Sequence, residues 1–154
     1  AIVDYAHTPD ALRKVLETLN TVRQSGTAVG ATGQEARILC VVGCGGDRDR
    51  TKRPIMAQVA ADLADLVILT SDNPRSEDPA TIIAEMRNGL DPIQARKVTA
   101  NQDREEAIRS ACIQARPGDV VLVAGKGHEK YQEIQGEKLP FDDVAVLTAS
   151  LMTH

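Results

Sequence analysis

Four short segments concentrate the side chains of this sequence that could do chemistry together. They are Asp4-Tyr5-Ala6-His7-Thr8-Pro9, Gly43-Cys44-Gly45-Gly46-Asp47-Arg48-Asp49-Arg50, Ser71-Asp72-Asn73-Pro74-Arg75 and Ala124-Gly125-Lys126-Gly127-His128-Glu129. Arg48 and Arg75 carry planar guanidinium forks that grip a carboxylate through two hydrogen bonds at once, and Glu129 can receive an ammonium group. A ligand matched to that set bears both charges, as an amino acid does. Gly125 and Gly127 permit close backbone approach, and Pro74 stiffens the segment that carries Arg75. On spacing alone this is an anion or amino-acid crevice with no reaction attached. Plainer readings stand beside it. Arg48 could belong to a solvated salt-bridge cluster with Asp47, Asp49 and Arg50. Asp72-Asn73-Pro74 could be an Asx turn that ends a strand, and His7 and His128 could simply bond within their own loops.

Two phosphate-binding patterns fail on inspection. In Gly43-Cys44-Gly45-Gly46-Asp47-Arg48 the third glycine of the dinucleotide fingerprint is replaced by Arg48, so a nicotinamide site is not expected. Gly125-Lys126 is preceded by Val120 where the P-loop needs its first glycine, and followed by Gly127 where it needs Ser or Thr. If a nucleotide is hydrolysed, another domain holds its phosphates.

The elements that must position these segments follow from hydrophobic spacing. Ala1 to Val3, Ile38 to Val42, Leu66 to Leu69, Lys97 to Thr99 and Val120 to Val123 read as buried strands. Between them, Thr8 and Pro9 start a helix with Leu12, Val15, Leu16, Leu19 and Val22 on one face. Pro54 opens a second, Asp78 with Pro79 a third, and Asp103 with Glu106 predicts a capping box for a fourth. Tyr131 to Leu139 reads as two extended pieces around Gln135-Gly136, with an antiparallel edge strand, before Asp142 caps a last helix. Ser25 to Ala36 reads as a mobile surface loop. The alternation predicts an α/β, doubly wound, Rossmann-like and mostly parallel sheet with helices on both faces. Ligands of such sheets collect beyond the carboxyl ends of the strands, where all four polar segments lie.

Composition excludes several partners. With 154 residues, 18 basic and 22 acidic side chains and a net charge of -4, the chain supports one core and lacks the basic footprint of nucleic-acid binding. No apolar run approaches the roughly 20 residues of a membrane span, and no secretory leader is visible, so a cytoplasmic protein is expected. Cys40, Cys44 and Cys112 form no metal-ligand pattern and read as reduced thiols in apolar surroundings. The start at Ala1, without an initiator Met and inside a strand-like run, predicts an excised domain.

The four segments, in this order, resemble the C-terminal domain of the Mur ligases, and most of all the diaminopimelate-adding members. The carriers are DYAHTPDAL at 4 to 12, GCGGDRDRTKRP at 43 to 54, SDNPR at 71 to 75 and AGKGHE at 124 to 129. The resemblance covers nearly the whole chain, except Ser25 to Ala36. It implies an ATP-dependent amide ligase of peptidoglycan synthesis, in which residues 1–154 are the amino-acid-binding domain and the UDP-binding and central ATPase domains lie elsewhere. In such ligases the γ-phosphate activates a carboxylate as an acyl phosphate, which the incoming amine attacks. ATP and Mg2+ would be held mainly by the central domain, and the isolated chain would not turn over.

Carried over by position, the resemblance implies that Arg48, Asp72, Asn73, Pro74, Arg75, Gly125 and Glu129 bind meso-diaminopimelate. Arg75 would answer the distal carboxylate that lysine lacks. Asp4, Tyr5 and His7 would meet the nucleotide when the domain closes. No catalytic side chain and no metal ligand is assigned to this chain. The expected partners are meso-diaminopimelate, the UDP-N-acetylmuramoyl dipeptide and ATP, with neither nucleic acid nor membrane, and the expected state is a monomer. Two rival readings are the same domain of a lysine-adding or folylpolyglutamate ligase, against which Arg75 speaks, and a free-standing anion- or amino-acid-binding module.

Overall fold

Short β-branched and aliphatic runs, each bounded by turn residues, form the strands of a five-stranded sheet. In the computed structural model, which describes residues 1–25 and 35–153, these are β1 (Ile2–Asp4), β2 (Ile38–Cys44), β3 (Leu66–Ser71), β4 (Val98–Ala100) and β5 (Val120–Ala124). Their order is β1-β5-β2-β3-β4 and every neighbouring pair is parallel. The helices are α1 (Pro9–Gln24), α2 (Lys52–Leu63), α3 (Pro79–Arg87), the single turn α4 (Pro92–Ala95), α5 (Arg104–Gln114) and α6 (Asp143–Met152). The loop expected over Ser25 to Ala36 falls largely outside the described residues.

Because the sheet is covered on both faces, alternate strand residues feed two cores. Ile38, Cys40 and Val42 pack with Leu12 and Leu16 of α1, Met56 of α2 and Met86 of α3. Leu39, Val41 and Val123 pack on the opposite face with Ile108 and Ala111 of α5 and Leu147 of α6. This is the expected doubly wound α/β arrangement. Among the described residues, no helix is long and apolar enough to cross a membrane.

Helix starts other than that of α2, where Thr51 makes no side-chain cap, obey side-chain capping. Thr8, Asp78, Asp103 and Asp142 each accept a first-turn amide, which satisfies donors that the helix leaves unpaired. The capping box expected at Asp103 and Glu106 is half formed. Asp103 accepts from the Glu106 amide at 3.1 Å, but its own amide donates to Asn101 Oδ1 at 3.0 Å, while the Glu106 carboxylate lies 3.4 Å from Arg109. The complete box forms at Asp91 and Gln94, on α4. Helix α2 begins at Lys52, two residues before Pro54, whose missing amide costs nothing in a first turn.

The antiparallel piece is a hairpin of β6 (Tyr131–Ile134) and β7 (Glu137–Pro140). Gln135 and Gly136 turn it with φ values of 50° and 78°, the positive-φ pair that a two-residue hairpin loop requires. It forms its own two-stranded sheet rather than extending an edge of the main one. Its contact with the loop after β3 is a parallel bridge between Arg75 and Ile134. The chain runs outward from β2 through β3 to β4, then crosses the opposite face through α5 and returns as β5 between β1 and β2. That reversal opens a crevice at the carboxyl ends of the strands.

Candidate functional site

The loops that leave β1, β2, β3 and β5 enclose one cleft of about 430 Å³. Of the residues expected to bind a ligand, Arg48, Asp72, Asn73, Arg75, Gly125 and Glu129 line it together, and Tyr5 and His7 stand at its β1 side. Two do not line it. Pro74 is buried behind the loop, where its carbonyl accepts the Glu77 amide at 3.0 Å. Asp4 is spent on its own backbone: Oδ1 accepts the Ala6 amide at 2.8 Å and its carbonyl accepts the Gly125 amide at 3.0 Å. Both shape the cleft from outside it.

Each charged group on the rim is held by some atoms and free at others. Glu129 Oε2 accepts from Asn73 Nδ2 at 3.1 Å and lies 3.4 Å from Lys126 Nζ, whereas Oε1 has no hydrogen bond among the described residues. Arg75 donates from Nη1 to the Gly46 carbonyl at 3.0 Å, and its Nε lies 3.4 Å from Glu133 Oε2. Arg48 is exposed and donates only to the Asp47 carbonyl, at 2.9 Å. The salt-bridge cluster considered for Arg48 does not form. Asp47 bonds Ser76 Oγ at 2.6 Å, Asp49 bonds Thr51 Oγ1 at 2.6 Å, and Arg50 pairs with Glu85. Those hydrogen bonds hold the Asp47 and Asp49 carboxyls below their usual range. Arg48 is thus without a carboxylate partner among the described residues.

Two glycines shape the floor. Gly125 has a φ of +117°, and a Cβ there would stand 3.1 Å from Asp72 Oδ2. At Gly127, with φ +55°, a Cβ would come within 2.8 Å of the Tyr5 Cβ. The Tyr5 ring lies 4.6 Å from the His7 ring and 5.6 Å from that of His128, between centroids. His7 Nδ1 is 3.0 Å from the Tyr5 carbonyl, so bonding within the loop does occur. Lys52, at the start of α2, donates to the His7 carbonyl at 3.0 Å and also borders the cleft.

Behind the rim stand three cations with fully buried side chains, which sequence reasoning did not assign to the site. Lys126 Nζ donates to Asn73 Oδ1 at 2.8 Å and lies within 3.5 Å of Asp72 Oδ1. It therefore neutralises Asp72 and Glu129 from below while those two face the cleft. Arg53 bonds Glu77 and Glu85, each at 2.7 Å, and the Gly45 carbonyl at 3.0 Å, tying the loop after β2 to α3 and the turn before it. Arg53 and the Asp47 amide pull the Glu77 carboxyl down to about 2. Arg104 forks onto Asp143 at 2.8 and 2.7 Å and donates to the Ser71 and Ala124 carbonyls at 3.0 and 3.1 Å. Burial alone would lower its pKa, but the bidentate carboxylate raises it and keeps the charge. The visible signal was a lysine between two glycines, three residues before Glu129. For the arginines, helical spacing that put each on an inward face would have been the sign.

Cys44 also borders the cleft, but burial pushes its thiol up to about 12, so it is no thiolate nucleophile near neutrality. Among the described residues no three His, Cys, Asp or Glu side chains converge as a metal-ligand set. The rim presents both signs of charge to the cleft, Arg48 and Arg75 together with Asp72 and Glu129.

Comparison with known proteins finds likenesses in sequence and in fold. The family described as Mur ligase, glutamate ligase domain, matches residues 1–127. The chain is 52% identical over 152 residues to the UDP-N-acetylmuramoyl-L-alanyl-D-glutamate–2,6-diaminopimelate ligase of Cytophaga hutchinsonii, covering 99% of this chain and 29% of that protein. It is 54% identical over 147 residues to the protein of the same name from Bacteroides thetaiotaomicron, covering 96% and 29%. A solved structure of a ligase of that name superposes with a TM-score of 0.84 at 48% identity, over 98% of this chain and 28% of the other. A folylpolyglutamate synthase from Thermotoga maritima, with a TM-score of 0.52 at 17% identity over 78% of this chain and 23% of its own, shares the fold alone. The chain spans less than a third of the length of these relatives.

Proposed function

The chain belongs to the Mur ligase family, in its glutamate ligase domain, and from that premise we propose that it is the C-terminal, amino-acid-binding domain of an ATP-dependent ligase that joins meso-diaminopimelate to UDP-N-acetylmuramoyl-L-alanyl-D-glutamate. The observation that carries this reading is the convergence of Arg48, Arg75 and Glu129 on one cleft, each with an unsatisfied edge. Arg75 and Arg48 bind carboxylates of the diamino diacid, and Glu129 Oε1, with Asp72 beside it, binds an ammonium group. Gly125 lets the ligand lie against the backbone. Lysine in the same place would leave the free Nη2 edge of Arg75 desolvated without a carboxylate to receive it, and the site rejects it for that reason.

Catalysis by this domain consists of placement. Bound ATP supplies the phosphoryl group that activates the acceptor carboxylate. This chain's own residues hold the amine, orient it and, on closure over the ATP-bearing domain, keep water from the activated group. Tyr5 and His7 are the groups on the β1 side that would meet the nucleotide. Among the described residues no three His, Cys, Asp or Glu side chains group as a metal-ligand set, so Mg2+ would be held by the ATP-bearing domain.

The test is amino-acid-dependent phosphate release by the full-length ligase. Removing one charged partner of a desolvated pair costs roughly 2 kcal/mol or more, so Arg75→Ala is expected to raise the KM for meso-diaminopimelate by about thirtyfold or more. The preference over lysine collapses with it. Unchanged selectivity in this variant would remove Arg75 from the role and the reading with it.

A further inference from the structure

The hairpin β6–β7 is unusual in where it spends its backbone bonds. It adds no strand to the main sheet, yet it closes around one residue of the loop after β3. The Arg75 amide donates to the Glu133 carbonyl at 2.9 Å, and the Arg75 carbonyl accepts from the Gln135 amide at 2.8 Å. On the N-terminal side of Arg75 the same hairpin reaches further along the loop. The Glu133 amide donates to Asn73 Oδ1 at 2.9 Å, and Gln132 Nε2 donates to the Asp72 carbonyl at 2.8 Å. Arg75 needs such a clasp, because its φ of 51° is a conformation that side chains other than glycine adopt only under constraint.

The side chain is constrained as well. Glu133 Oε2 sits 3.4 Å from Arg75 Nε, while Nη1 is taken by the Gly46 carbonyl at 3.0 Å. Among the described residues Nη2 makes no hydrogen bond. A guanidinium is planar, so fixing Nε and Nη1 also fixes the direction of Nη2. Both partners are partly exposed, at 19% for Arg75 and 29% for Glu133, so the pair adds little to stability by itself. Its consequence is directional.

We propose that Glu133 is a specificity-positioning residue: from the hairpin it orients the Arg75 guanidinium so that Nη2 is presented to a ligand carboxylate in the cleft. This rests on the amino-acid-binding reading above and adds to it the residue that sets the aim of the discriminating arginine. Glu133 does not touch the ligand and takes no part in bond making. The opposite arrangement, in which Glu133 is a competitor that a ligand carboxylate must displace from Arg75, predicts the opposite sign when Glu133 is removed.

The experiment is a 15N NMR titration of the 154-residue chain with meso-diaminopimelate and, separately, L-lysine, for the unaltered chain, Glu133→Gln and Glu133→Ala. Losing a partly exposed ion pair corresponds to a change of about two- to fivefold, so Glu133→Ala should weaken meso-diaminopimelate binding by about that factor and Glu133→Gln by less. Lysine binding should stay the same in both. Glu137→Ala, on the other strand of the hairpin, should bind as the unaltered chain does, which separates aim from a general loosening of the hairpin. Unchanged or tighter binding of meso-diaminopimelate by both Glu133 variants, with the preference of the unaltered chain intact, overturns the inference alone. Equal affinity of the unaltered chain for the two amino acids overturns the reading of the site and this inference together.

Discussion

Asp143→Ala is expected to be among the most damaging single substitutions in this chain, although Asp143 touches no ligand. Its carboxylate is the only anion bonded to Arg104 among the described residues, and both side chains are fully buried. The substitution leaves a guanidinium with two carbonyl partners, Ser71 and Ala124, and no bonded counter-charge in a dry environment, with only the more distant Asp72 and Glu129 to favour its charge. Breaking a buried pair from one side costs about 3–5 kcal/mol, a large part of a total stability of roughly 5–15 kcal/mol. With a urea dependence of about 2 kcal/mol per molar, the unfolding midpoint should fall by about 1.5–2.5 M. The adjacent Asp142 supplies the internal standard. It caps α6 through the Val144 and Ala145 amides and pairs with an exposed Lys130, so Asp142→Ala should cost only about 1 kcal/mol. The double variant Arg104→Met with Asp143→Leu should recover part of the loss, since it removes the stranded charge but leaves two strand-end carbonyls without their donor. Urea unfolding followed by circular dichroism reads all three. If Asp143→Ala proves no worse than Asp142→Ala, Arg104 is not a buried, singly compensated cation and the reasoning is wrong.

Two further outcomes concern acid and thiols. The Glu77 carboxyl is depressed from its ordinary 4.5 to about 2, so its contribution to stability is complete above pH 4.5 and disappears as the pH falls toward 2. Melting temperature should accordingly drop across that window, and Glu77→Gln should flatten the drop; an identical pH profile in the variant would contradict the Arg53–Glu77 linkage. Cys40 and Cys44 are buried with thiols pushed up to about 12, and Cys112 is buried with its thiol raised, so a thiol reagent at pH 8 should label none of them quickly in the native chain and all three after unfolding. Rapid native labelling of Cys44 would mean that the cleft floor opens.

The strands and most helix starts were legible in the sequence because their determinants are local. Thr8 with Pro9, or Asp78 with Pro79, states a helix start within a few residues, and runs such as Ile38 to Val42 announce a strand buried on both faces. The placement of Arg48, Arg75 and Glu129 beyond strand ends followed from the general geometry of parallel sheets. What composition rules could not show was which charges turn inward. Arginine and lysine are ordinarily read as solvent-facing, and the partners that license their burial are remote: Asp143 is 39 residues from Arg104, and Asn73 is 53 from Lys126. The half-formed box at Asp103 failed for a similar reason, since Asn101 and Arg109 compete locally for the groups that would close it. The hairpin was foreseen, but its seat on Arg75 depends on tertiary contacts no local pattern encodes.

These buried cations also explain how a cleft made of loops can hold its shape. Loop backbone cannot be fixed by apolar packing, because its carbonyls and amides need partners. A guanidinium offers five donors from one side chain, and here each arginine joins segments distant in sequence: Arg53 bonds Gly45 along with Glu77 and Glu85, and Arg104 bonds Ser71 along with Ala124. Lys126 does the same for Asp72, Asn73 and Glu129. The rim charges are then left to face the cleft already oriented, with the cost of ordering them met during folding rather than at binding. A site built this way should respond to changes behind the rim in affinity before it responds in fold, except at Arg104, where the compensating anion is single and the two responses coincide.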